Sequence, residues 1–278
     1  MASEVAFLAM DLDFNKKEDL SNLFIAAYIE ETQDKELPLL LNFYKCYRAY
    51  VRGKVADFLL FEDIQGEKKE SIISLASSYF RLAHSYTLGP VLIITSGLIG
   101  SGKSFLAERL SGELSCRLLI SDKIRKGLAK IPLTTPKFEE YGRGIYSKDF
   151  TQRTYEALFK EARENLINGR RVIIDASFSR REERERARQL AEEMGVDFYL
   201  IETKCSQEET KRRLSQRQKK PSISDGRLEI YQKQRLDFEE IDEIPAKSHI
   251  VIETTKSIEE IVRQIKDFLS FSSYKPAD

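Results

Sequence analysis

The sequence predicts an α/β protein: a five-stranded parallel sheet with helices on both faces, preceded by an all-helical segment. Three observations carry that expectation. Beyond residue 90, five short apolar runs rich in β-branched residues alternate with helix-periodic stretches, the pattern of βα units and so of a parallel sheet. A glycine-rich turn, Gly97-Leu98-Ile99-Gly100-Ser101-Gly102-Lys103-Ser104, joins the first run to the first helix. Residues 1–88 carry apolar residues at three-to-four spacing and no strand-like run.

In the first segment, Ala6, Phe7, Met10 and Phe14 begin one helix, and Leu20, Leu23, Phe24, Ala27 and Tyr28 a second. A long, apolar-rich helix is expected from Leu37 to Phe61, with Leu40, Leu41, Tyr44, Tyr47, Val51, Val55, Phe58 and Leu59. Arg48 and Arg52, four apart on it, read as a solvated or salt-bridged stripe. A fourth helix runs through Ile72, Leu75, Ala76, Tyr79 and Phe80. Leu88-Gly89-Pro90 breaks the pattern, so the expected domains are 1–88 and 89–278.

The strands of the second domain are Val91–Thr95, Cys116–Ile120, Arg171–Asp175, Val196–Thr203 and His249–Ile252. Phe105, Leu106 and Leu110 place a helix directly after the glycine turn, and Ser121-Asp122 opens a short helix after the second strand. Residues 130–148 are too irregular for a plain connector. Tyr155, Leu158, Ala162 and Leu166 stripe a helix ended by Asn168-Gly169. Ser179-Arg180-Arg181-Glu182 reads as a capping box opening a charged surface helix. Ser206 and Ser257 cap two more helices, and a basic, proline-containing segment spans Arg217–Arg227.

Composition excludes several classes. The 278 residues carry 45 Lys+Arg and 45 Asp+Glu. The charge is −4 over residues 1–88 and +4 over the remainder, which suits a polyanionic ligand and argues against bulk nucleic-acid binding. Cys46, Cys116 and Cys205 are far apart and odd in number, giving neither a disulfide framework nor zinc spacing. With His84 and His249 the only histidines, a histidine metal site or Ser-His-Asp triad is not expected. No apolar run reaches membrane-spanning length and the N-terminus lacks a basic signal region, so a cytoplasmic protein is expected.

The glycine turn fits the phosphate-binding pattern G-x-x-x-x-G-K-[ST] at every fixed position. Gly97, Gly100, Ser101 and Gly102 would turn backbone N–H groups toward an anion, and the following helix would add its positive end. Lys103 would reach the β- and γ-phosphates, while Ser104 would ligate Mg²⁺. In an open α/β sheet, ligands lie outside the carboxyl ends of strands. That rule selects Asp122 and Asp175 beside the loop. Asp175 would hold Mg²⁺ through water opposite Ser104, or cap a turn. Asp122 would accept a proton from an attacking hydroxyl, with Arg125 on the same helix face, or Ser121-Asp122 would serve as an N-cap. Arg213 and Arg217 can share a helix face and neutralise a transferring phosphoryl group, or form a solvated surface. Tyr146 and Ser147 are candidates for an acceptor pocket. The guanine-reading Asn-Lys-x-Asp motif is absent, so ATP is the expected nucleotide.

Residues 91–270 resemble the P-loop small kinases, which include polynucleotide 5′-kinases, gluconate-kinase-like enzymes and zeta toxins. The glycine turn, Ser121-Asp122-Lys123-Ile124-Arg125-Lys126, Gly144-Ile145-Tyr146-Ser147 and Val172-Ile173-Ile174-Asp175-Ala176-Ser177-Phe178 carry the likeness. It implies Asp122 as catalytic base, Arg125 as acceptor contact, and lid arginines near Arg213 and Arg217. Residues 1–88 resemble the C-terminal helical end of aminoglycoside-phosphotransferase-like kinases, through 3–12 and 43–52. That family's His-Gly-Asp catalytic motif is missing, since Ser85 follows His84. The expected function is transfer of the γ-phosphate of Mg²⁺-ATP to a hydroxyl of a small molecule or nucleic-acid end. The rivals are an ATP-binding regulatory module and a toxin-like kinase of a nucleotide sugar. The acceptor and the oligomeric state stay open.

Overall fold

In a computed structural model the chain divides into two compact units, Met1–Gly89 and Pro90–Asp278. The structure describes all residues except 1, 35, 62–64, 88, 134, 136–141, 218–227 and 274–278.

The first unit is a helical bundle of α1 (Ala2–Phe14), α2 (Glu18–Thr32), α3 (Leu37–Phe58) and α4 (Glu67–Thr87). The four expected helices are present, but the long one turns into a 3-10 turn at Leu59–Phe61. Only part of its apolar content is buried: Leu37, Leu41, Lys45, Ala49, Gly53 and Ala56 face inward, while Tyr47, Val55 and Phe58 are exposed. Close helix packing explains why small residues line that face. A Cβ on Gly53 would lie 2.9 Å from the Phe80 ring of α4, so only small residues fit at that contact. Lys45 is buried because Asp13 accepts its Nζ–H at 2.8 Å and the Tyr86 hydroxyl at 2.7 Å. Arg48 pairs with Glu4 at 3.0 Å.

The second unit contains β1 (Val91–Ser96), α5 (Lys103–Glu113), β2 (Arg117–Ile120), α6 (Ser121–Leu128), α7 (Lys148–Ile167), β3 (Val172–Asp175), α8 (Arg181–Glu193), β4 (Asp197–Lys204), α9 (Gln207–Arg217), α10 (Leu228–Asp237), β5 (His249–Glu253) and α11 (Ile258–Ser273). The five strands form one parallel sheet in the order β2-β3-β1-β4-β5. All six residues of β1 are buried, as a central strand covered on both faces requires. Alternate residues face opposite ways. Leu92 and Ile94 pack with Leu158, Ala162, Ala187 and Leu190 of α7 and α8. Val91 and Ile93 pack with Leu106, Leu110, Ile261 and Ile265 of α5 and α11.

Helix starts follow the expected chemistry at α9 and α11, where the Ser206 and Ser257 hydroxyls accept N–H groups at 3.2 Å. At α8 the start moves one residue on: Arg180 is the N-cap, and Glu183 rather than Glu182 accepts its N–H at 3.3 Å. The helix is also less superficial than its charge suggests, because Arg184 is 0% exposed. Arg184 donates to the carbonyls of Phe178, Glu239 and Glu240 and to the Glu243 carboxylate. Helix α10 was not expected from the sequence.

Candidate active site

Strand register assembles one edge. Thr95 and Ile120 both stand level with Asp175. The residues that follow each strand therefore emerge together: the glycine loop after β1, Ser121-Asp122 after β2, and Ala176-Ser177 after β3. Because β1 lies between β3 and β4 and the chain first crosses over β3 to reach β2, the loop sits where strand order reverses.

The loop is tied down on both sides. Gly97 N–H donates to Ser177 O at 3.2 Å. On the other flank the Ser101 and Thr203 hydroxyls share a hydrogen bond of 2.6 Å, and the Thr254 hydroxyl donates to Ser101 O at 2.7 Å. Gly97, Gly100 and Gly102 have φ of 139°, 81° and 95°, a region L side chains rarely adopt. At Gly97 space is also lacking, since a Cβ would lie 2.5 Å from Thr203 O. Lys103, the first residue of α5, turns its Nζ back to donate to Gly97 O and Leu98 O, each at 2.8 Å.

Asp175 is buried at the end of β3 and accepts the Thr95 hydroxyl at 3.2 Å. Asp122 lies in the first turn of α6. The N-cap there is Ile120, with no side-chain capping bond, so neither Ser121 nor Asp122 is the N-cap. Arg125 is 7% exposed. One guanidinium nitrogen donates to Ile145 O at 2.7 Å and to the Thr151 hydroxyl at 3.2 Å, and the group stacks over Tyr146 at 4.9 Å. Its Nε is buried without a hydrogen-bond partner among the described residues.

Lys103, Ser104, Asp122, Arg125 and Asp175 line a single cavity of about 600 Å³, together with Gly100 and Gly102. Tyr146 lines it as well, whereas Ser147 caps α7 by accepting Phe150 N–H at 3.4 Å. Gly97 and Ser101 border a second cavity on the other side of the loop. Arg213 lies against the loop near Gly102, held by Glu209 at 2.7 Å and by the Thr254 hydroxyl and carbonyl at 2.8 and 2.7 Å. Hydrogen bonds from Arg212 and Arg213 draw the Glu209 carboxyl down to a pKa of about 2, so this partner stays anionic at neutral pH. The backbone of Arg217 ends α9; its side chain and the basic segment to Arg227 lie outside the described residues.

The cavity also contains residues that sequence reasoning missed. Glu183 lines it, and burial pushes its carboxyl above the ordinary value, against the opposing effect of the Arg180 N–H and the Tyr155 hydroxyl. Tyr155 also accepts Phe178 N–H at 3.1 Å, bracing the turn after β3. Gln234 of α10 reaches the glycine loop itself, accepting Ile99 N–H at 2.7 Å. Among the described residues, no cluster of three His, Cys, Asp or Glu could hold a metal unaided. No described helix is long and apolar enough to cross a membrane.

Comparison with known proteins agrees with this architecture. A family model described as an AAA domain matches residues 92–241. Uncharacterized protein Rv2004c of Mycobacterium tuberculosis is 29% identical over 203 residues, covering 73% of this chain and 40% of its own length. The chain thus spans about two fifths of that curated relative. Among solved structures, APE1195 is 24% identical, with 66% of this chain and 96% of its own covered at a TM-score of 0.50. A provisionally assigned kinase of Chloroflexus aurantiacus j-10-fl is 17% identical, with 65% and 99% covered at a TM-score of 0.51. These likenesses show a shared P-loop kinase-type fold.

Proposed function

The chain belongs to the AAA domain family, and on that footing we propose that it is a cytoplasmic, Mg²⁺- and ATP-dependent phosphotransferase acting on a hydroxyl of a small molecule or a nucleic-acid end. The carrying observation is the convergence of Lys103, Ser104, Asp122, Arg125 and Asp175 on one cavity. A phosphate-binding loop alone supports nucleotide binding. A carboxylate after β2, two strands along the same sheet edge, and a buried arginine beside it support a second substrate next to the nucleotide.

The loop amides and the α5 N-terminus receive the phosphates. Lys103 exchanges its bonds to the Gly97 and Leu98 carbonyls for phosphate oxygens. Ser104 and Asp175 offer a hydroxyl and a carboxylate, a hard oxygen set suited to Mg²⁺, which normally takes one or two protein ligands plus phosphates and water. When bound, the ion would neutralise charge on the β- and γ-oxygens.

Asp122 accepts the proton of the attacking hydroxyl. The new bond forms between that oxygen and the γ-phosphorus, while the bond to the β–γ bridging oxygen breaks and ADP leaves. The Arg125 guanidinium, at the edge of the cavity, holds an acceptor oxygen. Arg213 swings from Glu209 and Thr254 toward the phosphates to offset developing charge, with Arg217 as a second candidate. The test is ADP release over a panel of sugars, nucleosides and 5′-hydroxyl oligonucleotides. At least one acceptor should stimulate release, and Lys103→Ala should abolish it; a panel without a stimulating acceptor refutes the reading.

A further inference from the structure

The glycine loop is held from outside at several points, and one of them comes from an unexpected element. Gly97 is bound through Ser177 O, and Ser101 through Thr203 and Thr254. Between these anchors lies Ile99, whose N–H donates to the Gln234 Oε1 at 2.7 Å. Gln234 is 9% exposed, and both residues line the main cavity. The contact joins residues 135 apart in sequence.

Helix α10 is well placed to act as a support. Tyr231, one turn before Gln234, is buried. The segment after the helix is clamped to α8: Arg180 pairs with Glu239 at 3.1 Å, Arg184 donates to Glu239 O and Glu240 O at 3.2 and 3.0 Å, and Arg181 pairs with Asp242. The residue type also fits. Glutamine supplies a neutral acceptor at the end of a long side chain. Glutamate would reach as far but would set a negative charge beside the phosphates.

We propose that Gln234 is a positioning residue for the nucleotide site: by accepting Ile99 N–H it holds the glycine loop in the curl that receives phosphates. The proposal rests on the nucleotide-binding reading above. Without Gln234 the Ile99 N–H loses its partner, and the loop gains freedom that phosphate binding must then remove.

The test is calorimetric titration of the full chain with Mg²⁺-ATP, Mg²⁺-ADP and adenosine, for wild type, Gln234→Leu and Gln234→Asn. The second variant keeps a polar group but is too short to reach Ile99, so it decides the matter if the first does not fold. Affinity for ATP and ADP should fall about tenfold, or about 1.4 kcal/mol, with adenosine affinity unchanged. Unchanged ATP affinity overturns the proposal, as does tighter binding, which would mean that Gln234 shields the amide from phosphate. An equal loss for adenosine also overturns it, because that marks general loss of structure. A wild-type chain that fails to bind ATP overturns both this proposal and the functional reading; ATP binding by wild type with no effect of either variant overturns this proposal alone.

Discussion

Gly97→Ala is expected to unfold the second unit at markedly lower temperature and to remove nucleotide binding. Two costs are legible in the structure. The backbone has φ of 139°, a conformation that costs a non-glycine residue on the order of 1–3 kcal/mol. The new Cβ would also stand 2.5 Å from Thr203 O and 2.7 Å from the Thr203 hydroxyl. Those atoms belong to β4, so relief requires moving a sheet strand, with an overpacking cost of about 1–3 kcal/mol. The sum is about 4 kcal/mol, which for a unit of this size lowers the melting temperature by about 12 °C. Gly112→Ala is the control. Gly112 lies within α5 with nothing within 4 Å of its added Cβ, so it should gain about 0.5–1 kcal/mol. Thermal melts followed by circular dichroism measure both. A Gly97→Ala melt within about 2 °C of wild type, or an equal loss in Gly112→Ala, would refute the reasoning.

Two further outcomes follow from buried charges. The folded pKa of Glu183 lies above its ordinary value of 4.5, so between those two values the native state binds the extra proton and stability falls as pH rises. Glu183→Gln removes that penalty and should raise the melting temperature at pH 7 while leaving it unchanged near pH 4. Melts at both pH values check the sign. Arg184→Ala removes the close partner of the buried Glu243 carboxylate, leaving Arg181 at 3.9 Å, and should cost about 3–5 kcal/mol, read by urea denaturation.

The sequence made the five strands, the glycine loop and its flanking helix legible because each is a local pattern. Val91–Ile94 is an unbroken apolar run since both faces of β1 are covered, and the loop is set by residues adjacent in the chain. What stayed hidden depends on partners distant in sequence. Nothing in Arg184's neighbourhood distinguishes it from the surface arginines of the same helix; its burial requires carbonyls at 178, 239 and 240. The inward face of α3 is set by small residues that permit close packing with α4, so a count of large apolar residues does not locate it. Helix α10 has no clear apolar stripe: Ile230 and Tyr231 are adjacent and Leu236 is 88% exposed. Gln234 was therefore without a frame in which its reach could be seen. Asp122 and Asp175 were visible because strand ends in an open α/β sheet converge, and the register that levels Asp175 with Thr95 and Ile120 bears out that geometry.

The measurement that tests phosphoryl transfer most directly is the acceptor-stimulated rate of ADP release in Asp122→Asn, taken alongside ATP affinity. If Asp122 accepts the hydroxyl proton, the stimulated rate should fall by about 10²–10⁴-fold with ATP affinity preserved. An Asp122→Asn protein that keeps its acceptor-stimulated rate would contradict the account.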